Sequence, residues 1–302
     1  MRKMLNILDM VKLHFNKTLL KPTSELVILS PLVKDKFVGE SRFKDAIPLG
    51  GEYVQYSDIE NCDYVVLPYK WDRRNPNNTQ IIDEAKSYNK KVLIFHIDDS
   101  DEDINVDSSY VFRTSFYRSK QKSYERSLPC FKDDTFEGRY IQDPKMNIGF
   151  CGQIITPLRR LVISQLEKSK IETNFIIRKI AWPGIENGKT KAQVVKEFYQ
   201  NMDKNVFNLC IRGGGNFSYR VYETMMMGRI PIIIDSDLVL PFEGLIDWER
   251  CSVFIKDVNS MVRDIENFYL NNNLFEMQKN NRKIWENYLS PIGVIKNFHK
   301  VL

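Results

Sequence analysis

No run in the 302-residue sequence approaches the ~18 consecutive apolar residues needed to cross a bilayer. The opening MRKMLNILDMVKLHF is not a signal peptide, because Asp9 and Lys12 interrupt any apolar region. The five cysteines (Cys62, Cys130, Cys151, Cys210, Cys251) include no CxxC pair. That excludes both a zinc site and a disulfide framework, and it points to a reducing compartment. The net charge is only +5. It suits an anionic ligand or a membrane surface without requiring either, and no nucleic-acid motif accompanies it. There is no internal repeat and no long linker. What is present is core-forming material: 43% apolar residues, four tryptophans, eighteen phenylalanines and fourteen tyrosines. That length and content suit two Rossmann-like lobes.

The most informative stretch is FNLCIRGGGNFSYRVYETMMMGRIPIIIDSDLVLPFEGLIDW, from Phe207 to Trp248. Alternation at Phe207, Leu209 and Ile211 predicts a strand. Gly213, Gly214 and Gly215 permit positive φ and close approach of backbone to a ligand. A helix is expected from Ser218 to its C′ glycine, Gly228. Ile230 to Ile234 then read as a buried parallel strand. A glycine turn opening a helix collects free N–H groups and the positive end of a dipole, which is a site for phosphate. Arg212 and Arg220 add cations there, and Glu223 lies three residues on, near the same helix face. The site thus offers charge for a diphosphate and a carboxylate for a ribose diol. The competing reading is a capped helix with a surface Arg–Glu pair. The sequon Asn216-Phe217-Ser218 lies inside this turn, where a glycan would block the site, so a secretory lumen is disfavoured.

Arg212-Gly213, Ser218-x-Arg220-x-x-Glu223, Gly228-x-Ile230-Pro231, Asp235, Leu240-Pro241-Phe242 and Ile246-Asp247-Trp248 resemble, in order and spacing, the signature of the exostosin-like glycosyltransferases of family 47. The similarity is strong over residues 205–255. It is weaker at Asn61–Trp71, Lys91–Asp99 and Ile148–Arg160. The resemblance implies an inverting, nucleotide-sugar-dependent transferase of α/β, GT-B fold. Such a fold has two Rossmann-like lobes with a cleft between them and a C-terminal crossover helix. The lobes are expected at 1–143 on the acceptor side and 144–302 on the donor side. The family further implies a UDP-sugar donor and a diphosphate contact from an arginine near Arg159. Family members from animals carry a membrane anchor; this sequence shows none, so a cytoplasmic enzyme of bacterial or viral origin is expected.

Along the chain, residues 3–20 read as an amphipathic helix through Met4, Leu8, Val11, Phe15 and Leu19. It could lie on a membrane beside a lipid-linked acceptor or pack on its own lobe. Leu26–Leu29 is expected as a strand, residues 34–52 as a polar loop, and Asp63–Pro68 as a strand whose end carries Tyr69, Trp71 and Asp72. Ligands of open α/β sheets bind beyond such strand ends. Lys91–Ile97 is a predicted buried strand ending at His96, Asp98 and Asp99. Inversion needs a base for the attacking hydroxyl, and His96, Asp98, Asp99 and Asp72 are the candidates. The competing reading is a strand end capped by aspartates. Asp-x-Asp patterns occur at Asp98–Asp107 and Asp235–Asp237, but acidic loops are usually solvated faces. No cofactor is expected to be required, since arginines can neutralise a diphosphate without a divalent metal.

Arg113–Arg126 reads as a mobile basic segment leading into the linker. Met146–Phe150 is a predicted strand, and Thr156-Pro157 starts a helix with Arg159 and Arg160 on its first turn. Trp182-Pro183-Gly184 is a loop that could approach a base. Further helices are expected at Lys191–Met202, Val258–Leu270 and Leu274–Tyr288.

The donor set is therefore Arg159, Arg212, Gly213, Gly214, Ser218, Arg220 and Glu223. The partners are a nucleotide sugar and a glycan or lipid-linked saccharide, with no nucleic acid. Two other classes remain. One is a donor-binding partner subunit without activity. The other is an NAD-dependent Rossmann oxidoreductase, since Gly213-x-Gly215-x-x-Ser218 and Asp235 approximate a dinucleotide fingerprint. Against the latter, serine replaces the third glycine and the following helix carries Arg and Glu.

Overall fold

The computed structural model describes residues 10–37, 39–180 and 188–302. The chain forms two compact units, each an α/β layer built on a parallel sheet. This is the two-lobed, Rossmann-like architecture expected of a GT-B chain.

The first unit takes the described residues up to Asp133, together with Val239–Phe242 and Asn287–Leu302. The division therefore falls at Asp133/Asp134, ten residues before the expected boundary, and the last sixteen residues join the first unit. Its strands are β1 (Val11–His14), β2 (Val54–Tyr56), β3 (Tyr64–Val66), β4 (Lys91–His96), β5 (Ser109–Arg113) and β6 (Glu125–Ser127). They pair in parallel in the order β2-β1-β3-β4-β5-β6. Two helices, α1 (Ala46–Leu49) and α2 (Asn77–Ser87), precede β2 and β4.

Several expectations fail in this unit. The part of the predicted 3–20 helix that lies within the described residues is not helical: Val11–His14 is a strand. Val11 and Leu13 are buried in it while Lys12 is exposed, so period-2 burial overrides the 3.6-residue stripe. Residues 3–9 of that prediction lie outside the described residues. Leu26–Leu29 belongs to a 3-10 helix, Ser24–Leu29, with all four residues buried. The supposed polar loop at 34–52 contains α1 and buries Phe37 and Phe43. Arg113–Arg126 is not a basic arm. Arg113 ends β5 and donates to Glu125 on β6 at 2.9 Å, with side-chain exposures of 1% and 5%. A buried cation needs such a partner, so the charge pattern reported a core pair.

The second unit takes Asp134–Leu238 and Glu243–Glu286. Its strands β7 (Asn147–Gly152), β8 (Glu172–Ile177), β9 (Phe207–Cys210), β10 (Ile230–Ile234) and β11 (Val253–Ile255) stand in the order β11-β10-β9-β7-β8, all parallel. Helices α3 (Pro157–Lys168), α4 (Lys191–Lys204), α5 (Tyr219–Met226), α6 (Trp248–Cys251), α7 (Met261–Asn271) and α8 (Leu274–Ile284) complete it. The last continues as one π-helical segment, Trp285–Leu289, before α9 (Pro291–Asn297). β9 and β10 are buried at every position, as strands covered on both faces must be.

Pro231 sits inside β10 without breaking it. The Ile230 N–H bonds toward β9 and the Asp235 N–H toward β11. The missing donor at Pro231 therefore faces β11, whose pairing begins only at Ile232–Val253. Gly228 takes φ +61° at the end of α5, where a Cβ would meet Tyr140 Cε1 at 2.9 Å. No helix among the described residues is long and apolar enough to cross a membrane.

Candidate active site

The donor-side residues gather at the carboxyl ends of β7 and β9, where parallel-sheet topology opens loops toward ligands. Two caps set the geometry. Thr156 caps α3, its hydroxyl accepting from the Arg159 N–H at 3.2 Å, with Pro157 at the first helical position. Ser218 caps α5 in extended conformation, with no side-chain cap bond.

Arg159 then reaches across to the β9 loop. It donates to the carbonyls of Arg212 (2.9 Å), Gln153 (2.8 Å) and Ile211 (3.1 Å). Arg220 donates to the carbonyls of Cys151 (2.6 Å) and Leu209 (3.4 Å). Both guanidiniums lie over the same ring: Phe150 is 4.5 Å from Arg220 and 5.9 Å from Arg159. Gly152 makes room for them, since a Cβ there would sit 3.0 Å from an Arg220 terminal nitrogen. Two half-buried cations thus share one aromatic platform, and among the described residues neither donates to a carboxylate. Burial, and after it the charge of Arg220, lowers the Arg159 pKa to about 10. This is an electrostatic deficit that an anion would relieve.

Arg212 is half-buried, and its guanidinium bonds the Gly214 carbonyl at 3.0 Å. Gly213 closes the turn with its N–H on the Phe217 carbonyl at 3.3 Å. A Cβ at Gly213 would lie 3.5 Å from Arg159, so the turn abuts the cation pair. The glycines do not serve by positive φ: none of Gly213, Gly214 and Gly215 adopts it. Glu223 is 5% exposed on α5, one turn after Arg220. The sequon residue Asn216 is 1% exposed and bonded to Ser236 and to the Asp237 carbonyl, so the fold occupies its amide.

The first unit holds a separate cavity of about 840 Å³ beyond the ends of β3 and β4. Three of the four base candidates, His96, Asp98 and Asp72, line it; Asp99 does not, and is exposed. Asp98 accepts from Lys70 at 2.7 Å, a bond that holds its carboxyl below the ordinary range. Asp72 accepts the Arg74 N–H at 2.9 Å, which likewise lowers it.

His96 differs from both. It is 4% exposed, and neither ring nitrogen has a hydrogen-bond partner among the described residues. Burial, then the nearby Arg113 guanidinium, pushes its pKa down, so the ring is neutral at physiological pH. Tyr69 and Trp71 form part of the wall; the Tyr69 hydroxyl donates to Asn78 at 3.1 Å, and burial raises its pKa to about 12. Reading the sequence missed Phe150, Gly152, Lys21, Thr23 and Lys70. Only Lys70 had a local signal, its place between Tyr69 and Trp71. The expected loop Trp182-Pro183-Gly184 lies outside the described residues.

Residues 152–267 match the family model of the Exostosin GT47 domain. That span starts at Gly152 and includes Arg159, Arg212, Gly213, Gly214, Ser218, Arg220 and Glu223, but not Phe150. A probable glucuronosyltransferase of Oryza sativa subsp. japonica is 42% identical over 60 residues, 20% of this chain and 14% of that protein. A probable beta-1,4-xylosyltransferase of Arabidopsis thaliana is 43% identical over 63 residues, 20% and 15% of the two chains. The aligned GT47 stretch is therefore a small part of these relatives. Among solved structures, Anabaena HepE in complex with UDP and glucose aligns over 96% of this chain and 98% of its own, at 9% identity and TM-score 0.45. TarM of S. aureus aligns over 90% and 53%, at 12% identity and TM-score 0.39.

Proposed function

We propose that this protein is an inverting glycosyltransferase that moves a sugar from a UDP-sugar to a hydroxyl of a glycan acceptor. The observation that carries the reading is the pair Arg159 and Arg220, two guanidiniums on one ring with no carboxylate bonded to either among the described residues. A diphosphate supplies the missing charge. Glu223 holds the ribose diol, and N–H groups near Ser218 face the phosphates.

In the reaction the acceptor oxygen attacks the anomeric carbon from the face opposite the leaving group. The bond from that carbon to the β-phosphate oxygen breaks, and its electron pair stays on UDP. Negative charge grows on that phosphate, where cations already fixed by backbone carbonyls stabilise it without reorganising. The hydroxyl proton passes to a base. His96 takes this role: it is neutral and neither ring nitrogen is bonded among the described residues, whereas Asp98 and Asp72 are paired with Lys70 and Arg74. Because two arginines balance the diphosphate, transfer does not require a divalent metal.

UDP release from UDP-glucuronate and UDP-xylose, assayed with a panel of glycan acceptors, tests the reading. Transfer that persists in EDTA and collapses in His96→Leu is the expected result. Full transfer in His96→Leu would remove His96 from the mechanism, and no UDP binding at all would remove the whole reading.

A further inference from the structure

The cavity in the first unit is unlike the interior of a site for a neutral sugar. Its wall carries four cations, Lys21, Lys70, Arg73 and Arg74, against three carboxylates, Asp72, Asp98 and Glu102. Lys70 is engaged by Asp98 at 2.7 Å and Arg74 by Asp72 at 3.5 Å. Lys21 and Arg73 are exposed, and their side chains make no hydrogen bond or ion pair among the described residues. Deeper in, three polar atoms are buried without partners among the described residues: both ring nitrogens of His96 and the hydroxyl of Thr23. Buried polar atoms are almost always bonded, and a cluster of orphans on one cavity wall marks where a ligand or ordered water completes them. The aromatic bodies of Tyr69 and Trp71 complete the lining.

We propose that this cavity binds the acceptor, and that the acceptor is an anionic saccharide. Its acidic group sits at Lys21 and Arg73, and its hydroxyls meet Thr23, His96 and the free carboxylate of Glu102. The inference rests on the reading of the chain as a transferase and adds the chemical class of its acceptor. Two exposed cations on the cavity wall give an acid an advantage over a neutral sugar of the same shape. Because both side chains are solvent-exposed, that advantage is modest and falls with salt.

The test is calorimetric titration with three probes: a disaccharide ending in glucuronic acid, the methyl ester of the same disaccharide, and its glucose 6-phosphate analogue. UDP is titrated separately against every variant. The wild-type protein is expected to bind an acidic probe at least about threefold tighter than the ester. Lys21→Met with Arg73→Met should abolish that difference while leaving UDP affinity unchanged. Preference for the uronate identifies a carboxylate acceptor, and preference for the phosphate identifies a phosphorylated one. Equal binding of acid and ester, or no binding of any probe by a protein that binds UDP, overturns the proposal and leaves the donor reading standing. Acid binding at Lys21 and Arg73 by a protein that fails to bind UDP overturns the donor reading instead.

Discussion

Replacing Arg220 by Met removes one charge while keeping an unbranched stem over Phe150. In the folded protein the variant loses two bonds to the Cys151 and Leu209 carbonyls and a cation–π contact at 4.5 Å. It also removes a half-buried cation and its repulsion of Arg159. These terms oppose one another. The net stability loss should be about 1–2 kcal/mol, well inside the ~5–15 kcal/mol that holds a domain together. The variant therefore folds.

Binding is a different matter, because nothing replaces a charge-assisted contact to the diphosphate. Such a contact is worth roughly 1.5–3 kcal/mol, so UDP affinity should fall roughly tenfold to a hundredfold. Uridine, which lacks phosphates, should bind the variant as it binds the wild type. Titration of UDP and uridine against both proteins, with a thermal melt as the folding control, reads this directly. If UDP affinity stays within threefold, or if UDP and uridine weaken together, the cation pair is a structural brace and the argument from its missing carboxylate is wrong.

Three further outcomes follow from particular residues. The buried imidazole of His96 titrates below the ordinary value of 6.5, because of burial and Arg113, with Asp98, Lys70 and Glu102 also near. As pH falls from 6.5 toward that lowered value, the unfolded chain binds more protons than the folded one, so stability declines over this window and levels off beneath it. His96→Leu should flatten that decline in urea midpoints measured from pH 8 to 5, and should leave stability at pH 7.5 unchanged or raised, since no hydrogen bond is lost. Glu125→Gln leaves the Arg113 charge buried without its counter-ion and should cost about 3–5 kcal/mol in chemical denaturation. Gly228→Ala forces a side chain to φ +61° against Tyr140, and should lower stability by roughly 1–2 kcal/mol without changing UDP affinity.

The β9–turn–α5–β10 stretch was legible because its signals are local. Strand residues, a helix-stopping glycine and a run of isoleucines all lie within forty residues, and the resemblance to family 47 rests on the same span. The first unit was harder. Its strands β1, β2 and β6 are three or four residues long, too short for periodicity to register. Lys12 and Arg126 make two of them read as polar. Arg113 looked like part of a basic arm because its partner Glu125 is twelve residues away on the neighbouring strand.

By itself, the sequence determined the strand–turn–helix–strand order from Phe207 to Ile234, the caps and turns that interrupt it, and that an arginine-rich glycine turn suits a diphosphate. Only the tertiary structure decided that Arg159 and Arg220 share the ring of Phe150, that Asp99 stands apart from His96 and Asp98, and that Lys21 and Thr23 line the same cavity as Glu102. Those neighbours come from distant parts of the chain. Parallel strands are joined by long crossovers, so the strand order, not the linear spacing, chooses which loops meet.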